Sequence, residues 1–136
     1  MVKRSRRKSL RRQSFVKYHS VAKHFYDAAK DSMDLEYWTA AGVIIVHAAI
    51  AYTDALCIKT SGVKSAGENH EDAVILLESV IAEGDGKSKA INQLRRIIEE
   101  KTKVSYLGEL YSASQTKEMW KRLERFVTWA EEILTR

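Results

Sequence analysis

Apolar side chains recur along most of the chain at the three- and four-residue intervals that place them on one face of a helix. The first such segment runs from about Ser14 to Ser32, with Tyr18, Ala22, Phe25 and Ala29 in line and Val21 and Tyr26 beside them. The second, about Asp34 to Lys59, is the longest. Its middle, Val43-Ile44-Ile45-Val46, is apolar all round, which predicts a helix at the centre of the fold. Leu35, Trp38 and Ala41 before it, and Ala48, Ala49, Tyr52 and Leu56 after it, keep the helical rhythm and argue against a strand. A third helix runs to about Ala82 and buries Ala73, Val74, Leu76, Leu77, Val80 and Ile81. The fourth, about Lys87 to Tyr106, aligns Ile91, Leu94, Ile98 and Lys101, with Ile97 adjacent. In the last, Met119, Trp120, Leu123, Phe126, Val127, Ala130, Ile133 and Leu134 oppose Lys117, Lys121, Glu124 and Glu131.

The punctuation between these segments is consistent with them. Thr60 to Gly67 is the most loop-like stretch, Glu83 to Gly86 ends the third helix, and Leu107 to Tyr111 interrupts the pattern again. Asn69 followed by Asp72 reads as an N-cap with an acidic first turn, and Ser112 with Gln115 as a capping box. No repeat with a period of 20–50 residues is present. The predicted fold is all-α: a single-domain, up-and-down bundle of four long helices and a shorter one, over residues 14–136.

Composition supports this reading and adds an uneven charge. The 136 residues contain no proline and six glycines, which long helices tolerate better than a turn-rich β fold. Of the 23 basic residues, seven fall in the first twelve positions with no acid among them; the remaining sixteen face eighteen acids. The net charge of +5 therefore belongs to an N-terminal tail, residues 1–13, and not to the helical body. Basic residues at 3/4, 7/8 and 11/12 give that tail one cationic face if it is helical. Arg4, Arg7, Lys8, Arg11 and Arg12 are then candidates for holding an RNA backbone, the alternative being a solvated, disordered extension. No apolar stretch of signal-peptide type follows the basic start, and Ala40 to Ala51 is short of the roughly 20 apolar residues that cross a bilayer. The one cysteine, Cys57, suits a reducing compartment. The expectation is a soluble, cytoplasmic protein with no membrane contact.

Most site chemistries are absent from the sequence. None of the four histidines follows an acid by three residues, as the di-iron sites of helical bundles require, and a single cysteine makes no zinc cluster. Neither a metal nor a cofactor is expected. Gly84 to Ser88 contains a Gly-Lys-Ser, but Val80 stands where the first glycine of a phosphate loop belongs. His47, inside the apolar helix, reads as a hydrogen-bonded core residue; His19 and His24 read as surface residues. Asp54 and Glu36 are candidate partners for buried cations. His70 differs, because it stands at a loop–helix junction preceded by Lys59 and Lys64. A histidine beside a fixed cation is the minimum equipment for metal-independent RNA cleavage. The imidazole moves the proton, and the cation stabilises charge on the pentacoordinate phosphate.

The order of these features resembles a HEPN domain. The similarity covers about residues 14–134: a long second helix ending in Ala48-Ala49-Ile50-Ala51-Tyr52-Thr53-Asp54-Ala55-Leu56, a small-residue loop, and His70 opening the third helix. Lys101-Thr102-Lys103-Val104-Ser105-Tyr106-Leu107-Gly108 is similar to a lysine–aromatic–glycine segment in one branch of the family. The family's ribonuclease motif is an arginine, four to six residues, and a histidine. Lys64-Ser65-Ala66-Gly67-Glu68-Asn69-His70 has the spacing and a polar second position, with lysine where the pattern has arginine. Lysine keeps the charge and loses the planar, bidentate grip on phosphate.

The resemblance implies a homodimer with two motifs facing one cleft. His70 and Lys64 would be the catalytic pair, with Ser65, Glu68 and Asn69 in support, acting on RNA as a toxin-type endonuclease or binding RNA or nucleotides. Some family toxins carry a tyrosine two residues after the histidine, to which a partner nucleotidyltransferase attaches AMP; this chain has Asp72 there. The alternative is a non-catalytic interaction module that pairs with a nucleotidyltransferase-type partner, with exposed aromatics such as Tyr111 or Trp120 in the contact.

Overall fold

A computed structural model describes residues 6–67, 69–84, 86–107 and 110–136, with backbone only for 103–107. Its helices are α1 (Phe15–Asp34), α2 (Trp38–Ser61), α3 (His70–Val80), α4 (Lys87–Leu107) and α5 (Ala113–Leu134). The all-α expectation holds broadly, with one addition: two short strands, β1 (Arg7–Ser9) and β2 (Val63–Ser65), pair antiparallel.

α1 and α2 form a hairpin whose turn shifts the second helix from its expected start. Leu35 and Tyr37 donate backbone N–H groups to Asp31 and Ser32, and Glu36 between them has φ 60, so the chain reverses before α2 begins at Trp38. Glu36, expected as a partner for a buried cation, is exposed in this turn. α2 then runs through the middle of the bundle, against α1, α5, α3 and α4. It is long and apolar enough to cross a membrane by composition, and 72% of its most apolar stretch is buried against these neighbours.

At its far end α2 runs to Ser61 and stops at Gly62, whose φ of 71 is the left-handed cap conformation that glycine adopts without a Cβ penalty. The next residues are more than a loop. Val63, Lys64 and Ser65 pair with Ser9, Lys8 and Arg7, and the ladder is extended by Leu10 N–H to the Gly62 carbonyl (2.7 Å) and Ala66 N–H to the Arg6 carbonyl (2.9 Å). The basic segment from Arg6 is therefore held against the bundle as a strand, followed by a 3-10 turn at Arg12–Ser14, rather than lying free or helical.

The remaining caps match their sequence signals. Asn69 Oδ1 accepts the Glu71 N–H at 2.9 Å, and Glu71 and Asp72 fill the first turn of α3. Ser112 and Gln115 form a reciprocal capping box on α5. The core gathers Tyr52, Ile45, Leu56, Leu77, Leu94, Ile97, Leu123 and Phe126, so the helices share one apolar centre. Tyr111, expected as an exposed contact residue, is buried because its ring fills the gap that Gly42 leaves on α2; a Cβ on Gly42 would stand 2.6 Å from that ring. Trp120 is half-buried against Tyr26, their ring centroids 5.0 Å apart.

Candidate functional site

His70 is the first residue of α3, held there by the Asn69 cap, and its ring is half-buried. Two groups from other helices bear on it electrostatically, Lys101 of α4 and His47 of α2. Its pKa lies below the ordinary histidine value, first because burial disfavours the imidazolium, then because of the Lys101 and His47 charges. The lowered pKa favours the neutral ring, the state in which an imidazole accepts a proton.

His47 corrects an expectation. It is not a core residue: its ring faces outward from α2 and stacks on Phe25 of α1, centroids 5.6 Å apart and planes 26° apart. The apolar residues on either side of it misled, since α2 buries its neighbours Val46, Ala48 and Ala49 while leaving this one position open. Lys101 did leave a signal. It prolongs the apolar line of Ile91, Leu94 and Ile98, and a cation on the buried side of a helix is a polar group delivered to a particular place.

Lys64, on β2, has an acidic and an aromatic neighbour. Its Nζ lies 3.7 Å from Asp54 Oδ2 and 5.5 Å from the centre of the Tyr18 ring. Asp54 is seven residues beyond His47 on α2, about 10 Å along the axis at 1.5 Å per residue, so the two positions share a face two turns apart. Asp54, expected to meet a buried cation, meets a partly buried one in Lys64. Burial still raises its carboxyl to about 6, with Lys64 lowering it by less. Burial and the Asp54 charge together push the nearby Cys57 thiol up to about 12, with Arg7 opposing.

Of the other expected site residues, Ser65 stands opposite Arg7 in the ladder, and its Oγ accepts the Gly67 N–H at 3.4 Å. Asn69 is occupied as the cap of α3. Glu68 and Arg4 lie outside the described residues. Arg7, Lys8, Arg11 and Arg12 are all exposed, with Lys8 directly across from Lys64. The structure thus brings Lys64 together with Asp54, Lys8 and Tyr18, while the charges that bear on His70 come from Lys101 of α4 and His47 of α2.

His19 is a second correction. Its side chain is 13% exposed, and Nε2 lies 2.7 and 2.9 Å from the two carboxylate oxygens of Glu131. The Tyr52 hydroxyl donates to the same carboxylate at 3.0 Å. This network ties α1, α2 and α5 together and satisfies its own members, which is what a structural tie does. His24 is exposed, as expected. Among the described residues no group of three or more His, Cys, Asp or Glu side chains could hold a metal ion.

Comparison with protein-family models, with curated proteins and with solved structures finds no match to this chain.

Proposed function

We propose that this protein is a HEPN-like, RNA-directed protein of the cytoplasm that cleaves phosphodiesters by histidine chemistry, with His70 as proton-transfer group and Lys101 as the cation nearest the reacting phosphate. The observation that carries the reading is the placement of a half-buried imidazole at the start of a helix, its pKa lowered by burial and by a lysine from another helix. In this reading Lys64 is a positioning residue. Its pairing with Asp54 fixes β2, and β2 leads through Ala66 and Gly67 to His70. The exposed Arg7, Lys8, Arg11 and Arg12 supply a basic rim for the RNA backbone.

The same reading places a second copy of the chain on the face carrying Val21 and Val43. These exposed apolar residues stand one helical turn from Phe25 and His47, the two rings of the stack, and a two-fold contact there would cover them. The test is cleavage of mixed single-stranded and transfer RNA without divalent metal, comparing the protein with His70→Ala. Fragments ending in 2′,3′-cyclic phosphate, absent with the variant, support the reading; RNA left intact by the wild type overturns it.

A second reading rests on a different observation. Leu35, Tyr37 and Leu110 are more than half exposed, at the end of the bundle where Thr116 Oγ1 of α5 donates to the Trp38 carbonyl of α2. Such a patch suits a non-catalytic module that binds a nucleotidyltransferase-type partner. Intact RNA, together with loss of partner binding on Leu110→Ser, favours this alternative.

A further inference from the structure

We propose that the cleft between the start of α4 and the second half of α5 is a nucleotide site, in which the Trp129 indole stacks on the base while Lys89 and Arg125 hold its phosphate. The inference does not rest on the RNA-cleavage reading above. Lys101, whose charge bears on His70, stands twelve residues beyond Lys89, about 18 Å further along α4 at 1.5 Å per residue.

The cleft follows from side-chain size. α4 packs against α5, and at this end the α4 side is made by Gly86, just before the helix, and Ala90 in its first turn. Two residues so small give Trp129 no large partner across the groove, and a space of about 390 Å³ stays open. Pockets that hold small organic ligands run from roughly 300 to 1,000 Å³.

Trp129 is held as a platform. Its ring is half-buried, with the Phe126 ring at a centroid distance of 5.9 Å and the planes 38° apart. Gly86 closes against the edge of the indole. Its φ of 86 is a conformation that favours glycine, and a Cβ there would stand 3.3 Å from Trp129 Cδ1 and 3.9 Å from Nε1. The indole is thereby fixed in orientation and still lines the cleft, which is what stacking on a base asks of an aromatic residue.

The rim supplies the complementary charge. Lys89 and Arg125 line it from opposite helices and are exposed, and among the described residues neither enters an ion pair. Two other polar side chains there are engaged within the fold. The Thr128 hydroxyl donates to the Glu124 carbonyl at 2.8 Å, and Gln93 Oε1 accepts from Arg122 at 3.2 Å. Glu132 adds one negative charge, so two cations and one acid suit a single phosphate rather than a triphosphate. A purely aliphatic occupant would fill the small-residue floor and leave both cations unanswered; a base with its phosphate uses both.

The test is a titration of the full chain with adenosine 5′-monophosphate (AMP), followed by the indole Nε1–H resonances of its three tryptophans. The Trp129 resonance is expected to shift saturably with a Kd below about 1 mM, while those of Trp38 and Trp120 stay in place. Lys89→Gln and Arg125→Gln are each expected to weaken AMP about 10-fold and to leave adenosine within about 2-fold, since the nucleoside has no phosphate to hold. Trp129→Leu is expected to weaken AMP and adenosine alike, by about 10-fold. Adenosine triphosphate is expected to bind no tighter than AMP.

An unmoved Trp129 resonance, or wild-type affinity in both cation variants, overturns the inference. Those variants change exposed side chains, so they decide the matter even if Trp129→Leu, which loses its packing on Phe126, unfolds. A short oligoadenylate in the same titration separates two sources of the ligand. Tighter binding of AMP assigns the site to a free mononucleotide, and tighter binding of the oligomer assigns it to a segment of single-stranded RNA. Binding is read here without turnover, so a protein that cleaves no RNA leaves this inference standing.

Discussion

Burial raises the Asp54 carboxyl to about 6 although a lysine stands 3.7 Å away, so loss of hydration outweighs attraction at this position. A carboxyl whose pKa is higher folded than unfolded binds more protons in the native state between about pH 4 and pH 6. Its contribution to stability is therefore greatest below about pH 4 and is lost as pH rises through the folded value near 6. Asp54→Asn cannot titrate, and its stability relative to wild type is expected to improve by about 2 kcal/mol between pH 4.5 and pH 7.5. Urea unfolding of the two proteins at both pH values checks this; parallel pH profiles would remove Asp54 as the cause. Tyr52 sits in the opposite situation, wholly buried with its hydroxyl on Glu131. Tyr52→Phe keeps the packing and drops one hydrogen bond, with an expected loss of about 1 kcal/mol in the same measurement. Residue-scale partners of this kind were the least legible feature of the sequence. Which side of α2 His47 takes, and that His19 reaches a glutamate 112 positions away, depend on what packs against each helix rather than on the residues next to it.

Element boundaries divide by the kind of signal that sets them. The helices carry many periods of apolar spacing, and α3 and α5 open at Asn69 and Ser112, whose side chains make the capping bonds their types predict. β1 and β2 are three residues each, too short for an alternation to show, and what joins them is the partner strand rather than any local preference. The start of α2 moved from Asp34 to Trp38 because Glu36 takes up a left-handed conformation that glutamate does not announce. Gly42 shows the same dependence on a neighbour. Alanine is ordinarily better than glycine inside a helix by about 1 kcal/mol, but here its Cβ would stand 2.6 Å from the Tyr111 ring. Gly42→Ala is therefore expected to destabilise the protein by about 1–3 kcal/mol in thermal or urea unfolding. In a Tyr111→Ala background the same change is expected to reverse sign and stabilise by up to about 1 kcal/mol. Equal effects in both backgrounds would mean that the ring does not seat on Gly42.

Over the whole molecule, charge and connectivity are arranged differently. The helical body is nearly balanced, and the chain's excess of positive charge is concentrated in the N-terminal segment, of which Arg7–Ser9 is pinned by β2. The concentration of charge was legible in the sequence and the pinning was not, because no local pattern links residues 7–9 to 63–65. If Arg11 and Arg12 touch the RNA backbone, Arg11→Gln/Arg12→Gln is expected to reduce the slope of log affinity against log salt by about 0.7 for each phosphate no longer neutralised. An unchanged slope would assign binding to other groups. Connectivity runs the other way along the chain. Lys59 at the end of α2 donates to the carbonyls of Ile133 and Leu134 at 2.7 and 3.1 Å, and Tyr52 reaches Glu131, 79 residues later. On a ribosome adding about 5–20 residues per second, α2 therefore waits about 4–15 s after its own synthesis for α5 to be complete. Through that interval the face of the most apolar helix that α1 leaves open has no partner from α5 on the nascent chain, so the yield of folded protein in a cell depends on what shields that face before α5 arrives.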